Sequence, residues 1–330
     1  MKNILLLHIS LILLFLPSSL KSQEIYTKKI VLMGSDFEIT VVENNFADAN
    51  YFIDLAIKEI SRIESLISSW DKNSQTSLIN NSAGIKPVQV DKELFDLIYR
   101  SIRISDLTQG AFDISYASMD KLWYFDREMK KLPTSQQIAE SVSKVGFQNI
   151  VLDEKNRTVF LKLKGMKIGF GAIGKGYAAD KAKDILIENN VQSGIINASG
   201  DLTAWGQKPS GDDWMVAVVN PLNKSKVFSW LPIKNSSIVT SGNYEKFFNI
   251  DGKSYSHIID PRTGYPSEGI LSVTIISENA ELADALATSV FVLGTDIGID
   301  MINQLKNVDC IIINSDNKII KSDNIQINKI

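Results

Sequence analysis

The chain has 330 residues, of which 44% are hydrophobic and 22% charged, and these proportions are typical of an ordinary soluble globular protein. The formal net charge is only -3, so a strongly basic surface is excluded and we expect no nucleic-acid partner. The single cysteine, Cys310, excludes an intramolecular disulfide and a cysteine-rich metal site.

The N-terminus has the layout of a secretory signal peptide. Lys2 precedes an apolar run over residues 4–15, and small and polar residues follow as far as Ser22. The run is short for a membrane span, so export is favoured over a permanent anchor. We expect residues 1–22 to be the signal peptide and residues 23–330 to be one domain. His8 would leave with the signal, so a multi-histidine metal site is excluded as well.

The first half of the mature chain predicts a strand pair followed by helices. Alternating apolar residues over 31–42 favour paired strands, and the apolar spacing over 46–68 favours a helix. Residues 68–84 contain many turn-forming residues around an isolated Trp70, which is either a core anchor or a stacking surface for a flat ring. Asp91 is placed to cap a second helix, and Thr134 with Gln137 has the spacing of a capping box.

Residues 167–180, KIGFGAIGKGYAAD, predict a strand, a glycine turn and a helix. Glycines at such a turn let a ligand approach the backbone, and the first helical N–H groups favour an anion. With Lys175 alongside, a phosphate group is the natural ligand. The spacing matches parts of the dinucleotide fingerprint and of the P-loop, but Gly176 stands where a P-loop needs Ser or Thr, and mostly strands follow. The alternative is a turn whose glycines only allow close packing.

The second half predicts mostly strands and one apolar helix. A strand ends before the Ser199-Gly200-Asp201 turn, and Asp251-Gly252 is a strong hairpin signal between strands predicted at 247–250 and 253–258. The rigid turn HIIDPRTGYP places His257 close to Asp260 and Arg262. Cys310 lies in an apolar run and is expected in the core.

Asp284 and Thr288 interrupt the apolar helix that begins after Asn279 and ends at Gly294. Because they are four residues apart, they lie on the same helical face. A carboxylate and a hydroxyl so placed suit an oxygen-preferring cation such as magnesium. The alternative is a solvated polar stripe with an Asp-to-Thr hydrogen bond.

Several motifs occur in one order and together resemble the FAD:protein FMN transferase (ApbE) family. The motifs are M-G at Met33, S-x-W-x-x-x-S-x-x-S-x-x-N around Trp70, G-A-F-D at 110–113, G-K-G-Y-A-x-D at 174–180, N-A-x-G-D at 197–201, S-G-N-Y-E at 241–245, H-I-I-D-P-R-T-G-Y-P at 257–266 and A-D-A-L-A-T-x-x-F-V-L-G at 283–294. The last two are the most specific. The resemblance extends from Met33 to about Gly298 and implies an ApbE-like, T-fold-like α+β fold, with mixed, largely antiparallel sheets and packed helices.

The resemblance also implies an activity. Such an enzyme uses Mg²⁺ and FAD to attach FMN, through a phosphoester bond, to a Thr or Ser of an exported or membrane-associated acceptor protein, and it releases AMP. It would act in the periplasm or at the outer face of the cytoplasmic membrane. By motif, the metal ligands would be Ala172, Asp284 and Thr288; the FAD contacts would be Met33, Trp70, Ala111, Phe112, Asp113, Lys175, His257 and Ile259; and the catalytic residues would be His257, Asp284 and Lys175.

The chain departs from the family pattern at Gly169. The family usually has Asp there, as in D-L-G-G-I-A-K-G-Y, so a carboxylate contact is lost or is supplied by Asp201 or Asp113. A histidine titrates in the right range to take a proton from an attacking hydroxyl, so His257 is the expected base or the group that orients the diphosphate, with Asp260 as the alternative base. Other readings are an FAD pyrophosphatase that gives FMN and AMP, a non-catalytic flavin-binding protein, and a structural exported domain.

Overall fold

The computed structural model describes residues 23–127, 129, 131–219, 227–243, 247–250 and 253–325. The expected signal peptide and the Asp251-Gly252 turn lie outside these residues. Within the described ranges, no helix combines the length and apolarity that a membrane crossing requires.

Helices and strands alternate irregularly along the chain. The helices are α1 Phe46–Ile67, α2 Gln75–Asn81, α3 Lys92–Leu107, α4 Ser135–Val142, α5 Gly174–Glu188, α6 Ala280–Leu293 and α7 Thr295–Asn303, with 3₁₀ turns at Ile114–Ser118 and Phe147–Asn149. The strands are β1 Glu24–Leu32, β2 Ser35–Glu43, β3 Val88–Gln89, β4 Ile150–Asp153, β5 Thr158–Leu161, β6 Gly194–Ala198, β7 Asp201–Trp205, β8 Trp214–Val219, β9 Val227–Ile233, β10 Ser236–Gly242, β11 Phe247–Ile250, β12 Lys253–Ser256, β13 Ile270–Ser277, β14 Asp309–Asn314 and β15 Ile319–Lys321.

The central sheet has eight strands in the order β1-β2-β6-β7-β10-β13-β14-β15. Every neighbouring pair in it is antiparallel. Three smaller sheets, β3-β5-β4, β8-β9 and β11-β12, are antiparallel as well. The α+β prediction is therefore confirmed.

Helix α5 packs against both α1 and α6, and all three helices pack against the central strands to form the main hydrophobic core. The β8-β9 hairpin contributes Trp214 and Ile233 to a second cluster with Val42, Leu202 and Ile238 of the sheet. A third cluster joins Trp123, in the segment after the first 3₁₀ turn, to Ile138 of α4 and Phe248 of β11. The site lies where α5 and α6 meet the ends of the central strands β7 and β10.

Local signals were confirmed in some places and wrong in others. Thr134 and Gln137 form both bonds of the capping box. Residues 75–81, predicted as turns, form α2, because the Ser74 hydroxyl accepts the Ser77 amide and caps the helix.

The strand predicted before the glycine turn is absent from the structure. The backbone of Ile168 bonds instead to the Asn80 side chain, at 2.8 Å through its amide and 3.0 Å through its carbonyl. The Gly169 amide donates to the carbonyl of Ile114, at 2.9 Å. These partners satisfy the backbone without a neighbouring strand.

Candidate active site

A cavity of about 400 Å³ opens between α5, α6, the first 3₁₀ turn and the ends of β7, β10 and β12. Most of the predicted site residues line it together, although they are distant in sequence. These are Ala111, Phe112, Asp113, Ala172, Lys175, His257, Ile259, Asp284 and Thr288.

Two predicted FAD contacts do not line this cavity. Trp70 lies in the loop after α1 and is 93% exposed, so it is not a core anchor. Met33 lies in the β1-β2 turn, and its Cε atom is near Gly174 at the start of α5. Ser35, two residues later, does line the cavity. The contacts of Met33 and Trp70 with a flavin therefore stay predictions.

Asp284 is buried in the first half of α6, with only 4% of its surface exposed. Its Oδ2 atom accepts a hydrogen bond of 3.1 Å from the amide of Gly176. Burial raises the pKa of the Asp284 carboxyl, and the nearby Lys175 charge and the Gly176 amide oppose that rise. The solvated-stripe alternative is therefore wrong for this carboxylate.

Thr288 lies one turn after Asp284 and also faces the cavity. Its neighbour Ser289 donates to the carbonyl of Ala285, as helical hydroxyls often do. The Thr288 hydroxyl has no hydrogen bond of this kind among the described residues. It is therefore available to a ligand in the cavity.

The glycine turn serves both packing and access. A Cβ atom on Gly176 would lie 2.1 Å from the carbonyl oxygen of Ala280, so this glycine lets α5 and α6 touch. Gly171 instead lines the cavity. The Gly174 amide donates to the Phe170 carbonyl, at 2.6 Å, and the Gly176 amide is bonded to Asp284. These two amides are therefore not available to an anion, contrary to the expectation for the start of the helix.

Lys175 supplies the positive charge at this end of the cavity. Its ammonium group forms an ion pair with the Asp201 carboxylate, which is almost fully buried at the start of β7. Lys175 thus pairs with Asp201, and its charge also acts on a second acidic side chain, Asp284. Asp201 is one of the carboxylates expected to compensate for Gly169, and it lines the same cavity.

Asp113, the other proposed substitute for a carboxylate at residue 169, has a clear structural role. Its two carboxylate oxygens accept the backbone amides of Ser115, at 2.7 Å, and Phe147, at 2.8 Å. Burial raises the pKa of Asp113, and these hydrogen bonds oppose the rise. Asp113 therefore caps the first 3₁₀ turn at the edge of the cavity.

The HIIDPRTGYP turn presents His257 to the cavity. In this turn, the backbone amides of Thr263 and Gly264 donate to the Asp260 carbonyl. A β-bridge between Ile259 and Pro266 closes the turn. The ring of Phe125 contacts His257 edge to face, with 6.4 Å between ring centroids.

Asp260 does not line the cavity. Its carboxylate accepts the backbone amide of Arg262 and both Nε and Nη2 of the Arg262 side chain, at 2.8 to 2.9 Å. The geometry thus favours His257 over Asp260 as the group that meets a substrate.

The sequence reasoning missed several residues that line the cavity. The most prominent is Tyr116, in the first 3₁₀ turn, and Met119 and Thr240 also line the cavity. No sequence signal distinguished Tyr116, because 3₁₀ turns have no hydrophobic period long enough to assign faces.

The donor set fits a hard divalent cation. Asp284 and Thr288 contribute side-chain oxygens, and Ala172 lines the cavity beside them. Within the described ranges, no cluster of three or more His, Cys, Asp or Glu side chains forms a metal site. A site with one carboxylate suits Mg²⁺, which is commonly held by one or two carboxylates together with substrate phosphates.

Comparisons with known proteins show the family of this chain. A family model described as the ApbE family matches residues 33–312. The FAD:protein FMN transferase of Klebsiella pneumoniae is 32% identical over 305 residues, which cover 92% of this chain and 93% of that protein. The FAD:protein FMN transferase of Treponema pallidum is 29% identical, over 89% of this chain and 86% of that protein.

Solved structures are similar over the same length. The crystal structure of the ApbE protein from Thermotoga maritima is 31% identical and has a TM-score of 0.82, covering 91% of this chain and 97% of that chain. The flavin transferase ApbE from Vibrio cholerae has the same TM-score at 23% identity, and that likeness supports the fold alone. With the family model matched over most of its length, the chain belongs to the ApbE family.

Proposed function

We propose that this protein is a magnesium-dependent flavin transferase. It moves FMN from FAD onto a Thr or Ser hydroxyl of an acceptor protein through a phosphoester bond and releases AMP. The relatives named FAD:protein FMN transferase support the activity. The observation that carries the proposal is the shared cavity of Asp284, Thr288, Lys175 and His257.

The reaction is a displacement at phosphorus. The acceptor hydroxyl oxygen attacks the phosphorus of the FMN half of FAD, a new P–O bond forms, and the bond to the bridging oxygen breaks. AMP leaves with that oxygen and its electron pair. The hydroxyl proton must go to a base, and the His257 imidazole at the cavity wall suits this role because histidine is the side chain that most often acts as a general base.

The charge of the diphosphate is the main obstacle to attack by a hydroxyl. Lys175 offers one positive charge in the cavity, and its pairing with Asp201 orients the ammonium group. Asp284, Thr288 and the carbonyl of Ala172 would hold the cation. When bound, Mg²⁺ neutralises phosphate charge and fixes the geometry for in-line displacement.

We propose that residues 1–22 are a signal peptide and that residues 23–330 form the transferase domain. The protein would then act in the periplasm or at the outer face of the cytoplasmic membrane. Its acceptor would be an exported or membrane-associated protein with a reactive Thr or Ser. The basic N-terminus, the apolar run and the small residues before Ser22 support this location.

The test incubates the protein with FAD, MgCl₂ and an extract of exported proteins from the same cells. Flavin fluorescence that survives a denaturing gel, with an equal amount of AMP, is the expected result. AMP and free FMN without labelling would support a pyrophosphatase instead. FAD binding without AMP would support a flavin carrier, and no FAD binding would leave only a structural domain.

Two variants test the base. His257→Ala should still bind FAD but lose transfer, whereas Asp260→Asn should retain transfer because the Asp260 carboxylate is bonded to Arg262 outside the cavity. Transfer at the original rate by His257→Ala would refute the catalytic role of His257.

A further inference from the structure

Tyr116 lies in the first 3₁₀ turn and presents its side chain to the cavity. The turn is held by Asp113, which accepts the Ser115 amide with its side chain and the Tyr116 amide, at 3.1 Å, with its carbonyl. These bonds fix the backbone from which the Tyr116 ring projects. The backbone of Tyr116 is therefore held at the edge of the cavity.

The phenol oxygen lies directly against the glycine turn. A Cβ atom on Gly171 would be 2.4 Å from Tyr116 Oη and 3.5 Å from Cζ, and a Cβ atom on Gly169 would be 3.8 Å from Oη. Real Cβ atoms do not approach an oxygen as closely as 2.4 Å, so the hydroxyl has this position only because residue 171 is glycine. Tyr116 Oη thus occupies the space beside the turn that carries Ala172.

The phenol hydroxyl of Tyr116 is a hydrogen-bond donor. Burial raises the pKa of Tyr116 above its ordinary value, the Asp284 carboxylate adds to the rise, and the Gly171 amide opposes it. Among the described residues, Tyr116 Oη donates to no carboxylate or carbonyl. Its proton is therefore available to an oxygen of a molecule in the cavity.

We propose that Tyr116 is a binding residue for the diphosphate of the dinucleotide, donating its phenol proton to a phosphate oxygen. Its hydroxyl lies against the turn that carries Ala172 and lines the same cavity as Lys175, the positively charged side chain that suits a phosphate rather than a flavin ring. The inference rests on the proposed function, since it takes FAD as the ligand.

The test is Tyr116→Phe, which removes one oxygen and keeps the ring, so the packing of the turn is preserved. The probes are FAD, ADP and riboflavin, and dissociation constants are measured by calorimetry on the full chain with MgCl₂. Because the donor would meet a charged oxygen, FAD and ADP should each bind about tenfold more weakly to the variant. Riboflavin, which has no phosphate, should bind equally to both proteins.

Tyr99→Phe is the matched control. Tyr99 is an exposed residue of α3 outside the cavity, so its variant should bind all three probes like the wild type. An equal loss of riboflavin affinity in Tyr116→Phe would place the hydroxyl at the flavin ring and overturn the assignment, as would unchanged FAD and ADP affinity. Wild-type protein that binds no FAD would overturn the proposed function as well, which separates the two failures.

Discussion

Gly176 is the point at which the two helices of the site touch, so Gly176→Ala tests the geometry directly. The new Cβ atom would lie 2.1 Å from the carbonyl oxygen of Ala280, 2.5 Å from its carbon and 2.9 Å from Cβ of Asp284. Close contacts between carbon and a carbonyl oxygen are about 3.3 Å, so α5 and α6 must separate by roughly 1 Å. Because Ala280 is met through its backbone, no rotamer change relieves the clash.

The expected cost follows from three effects. Overpacking of this kind costs about 1–3 kcal/mol. The bond from the Gly176 amide to the Asp284 carboxylate, now 3.1 Å, would be lengthened or lost, at about 1.5–3 kcal/mol for a charged acceptor. Alanine recovers about 1 kcal/mol of helix propensity over glycine. We therefore expect the free energy of unfolding to fall by about 3 kcal/mol.

Urea denaturation measures the stability, and a calorimetric titration with FAD and MgCl₂ measures binding. Both should weaken in Gly176→Ala, since Asp284 moves away from the turn that carries Ala172. The matched control is Gly298→Ala in α7, which lies outside the cavity. Its new Cβ atom would lie 2.8 Å from the Val290 side chain. That variant should lose stability and keep its FAD affinity. A Gly176→Ala protein with wild-type stability and binding would refute the reasoning.

Three further outcomes are expected. The Asp180 side chain accepts a hydrogen bond of 2.9 Å from the Glu281 amide and so caps α6, and Asp180→Ala should therefore lose about 1–2 kcal/mol of stability in urea denaturation. Asp180→Asn should recover part of this stability. Asp184→Ala, which removes an exposed ion pair, should change the stability little. Burial raises the pKa of Asp113 above 3.8, so the carboxyl keeps its proton to higher pH in the folded protein than in the unfolded chain. The stability of the wild type relative to Asp113→Asn should therefore be greatest below about pH 4 and fall as pH rises through the raised pKa. Urea titrations without ligand measure this difference. Burial also raises the pKa of the Cys310 thiol, so a thiol reagent should label it only after unfolding.

Local sequence signals determined where most of the long helices of this protein lie. The apolar spacing placed α1, α3, α5 and α6, and the capping box marked the start of α4. Such features depend on residues within one or two helical turns of each other, so a single sequence reveals them. The same holds for Asp284 and Thr288, whose spacing alone puts them on one face of α6. The ordered motifs also identified the family.

Tertiary structure decided the features that join distant residues. Asn279 stands in the N-cap position of α6 but makes no cap bond with its side chain, and Asp180, 101 residues before Glu281, caps the helix instead. Asn80 satisfies the backbone of Ile168, 88 residues away, so the predicted strand is not needed. Neither pairing has a local pattern, because a side chain and a backbone group meet only once the chain has folded.

The site itself shows the same division. Sequence motifs named most of the residues that line the cavity, but they did not show that Lys175 pairs with Asp201 or that Asp284 bonds to Gly176, 108 residues away. They also gave no sign of Tyr116, whose position depends on the close approach of a 3₁₀ turn to Gly171. Residue identity supplies the chemistry of each group, whereas packing sets the distances and burial through which those groups act on one another.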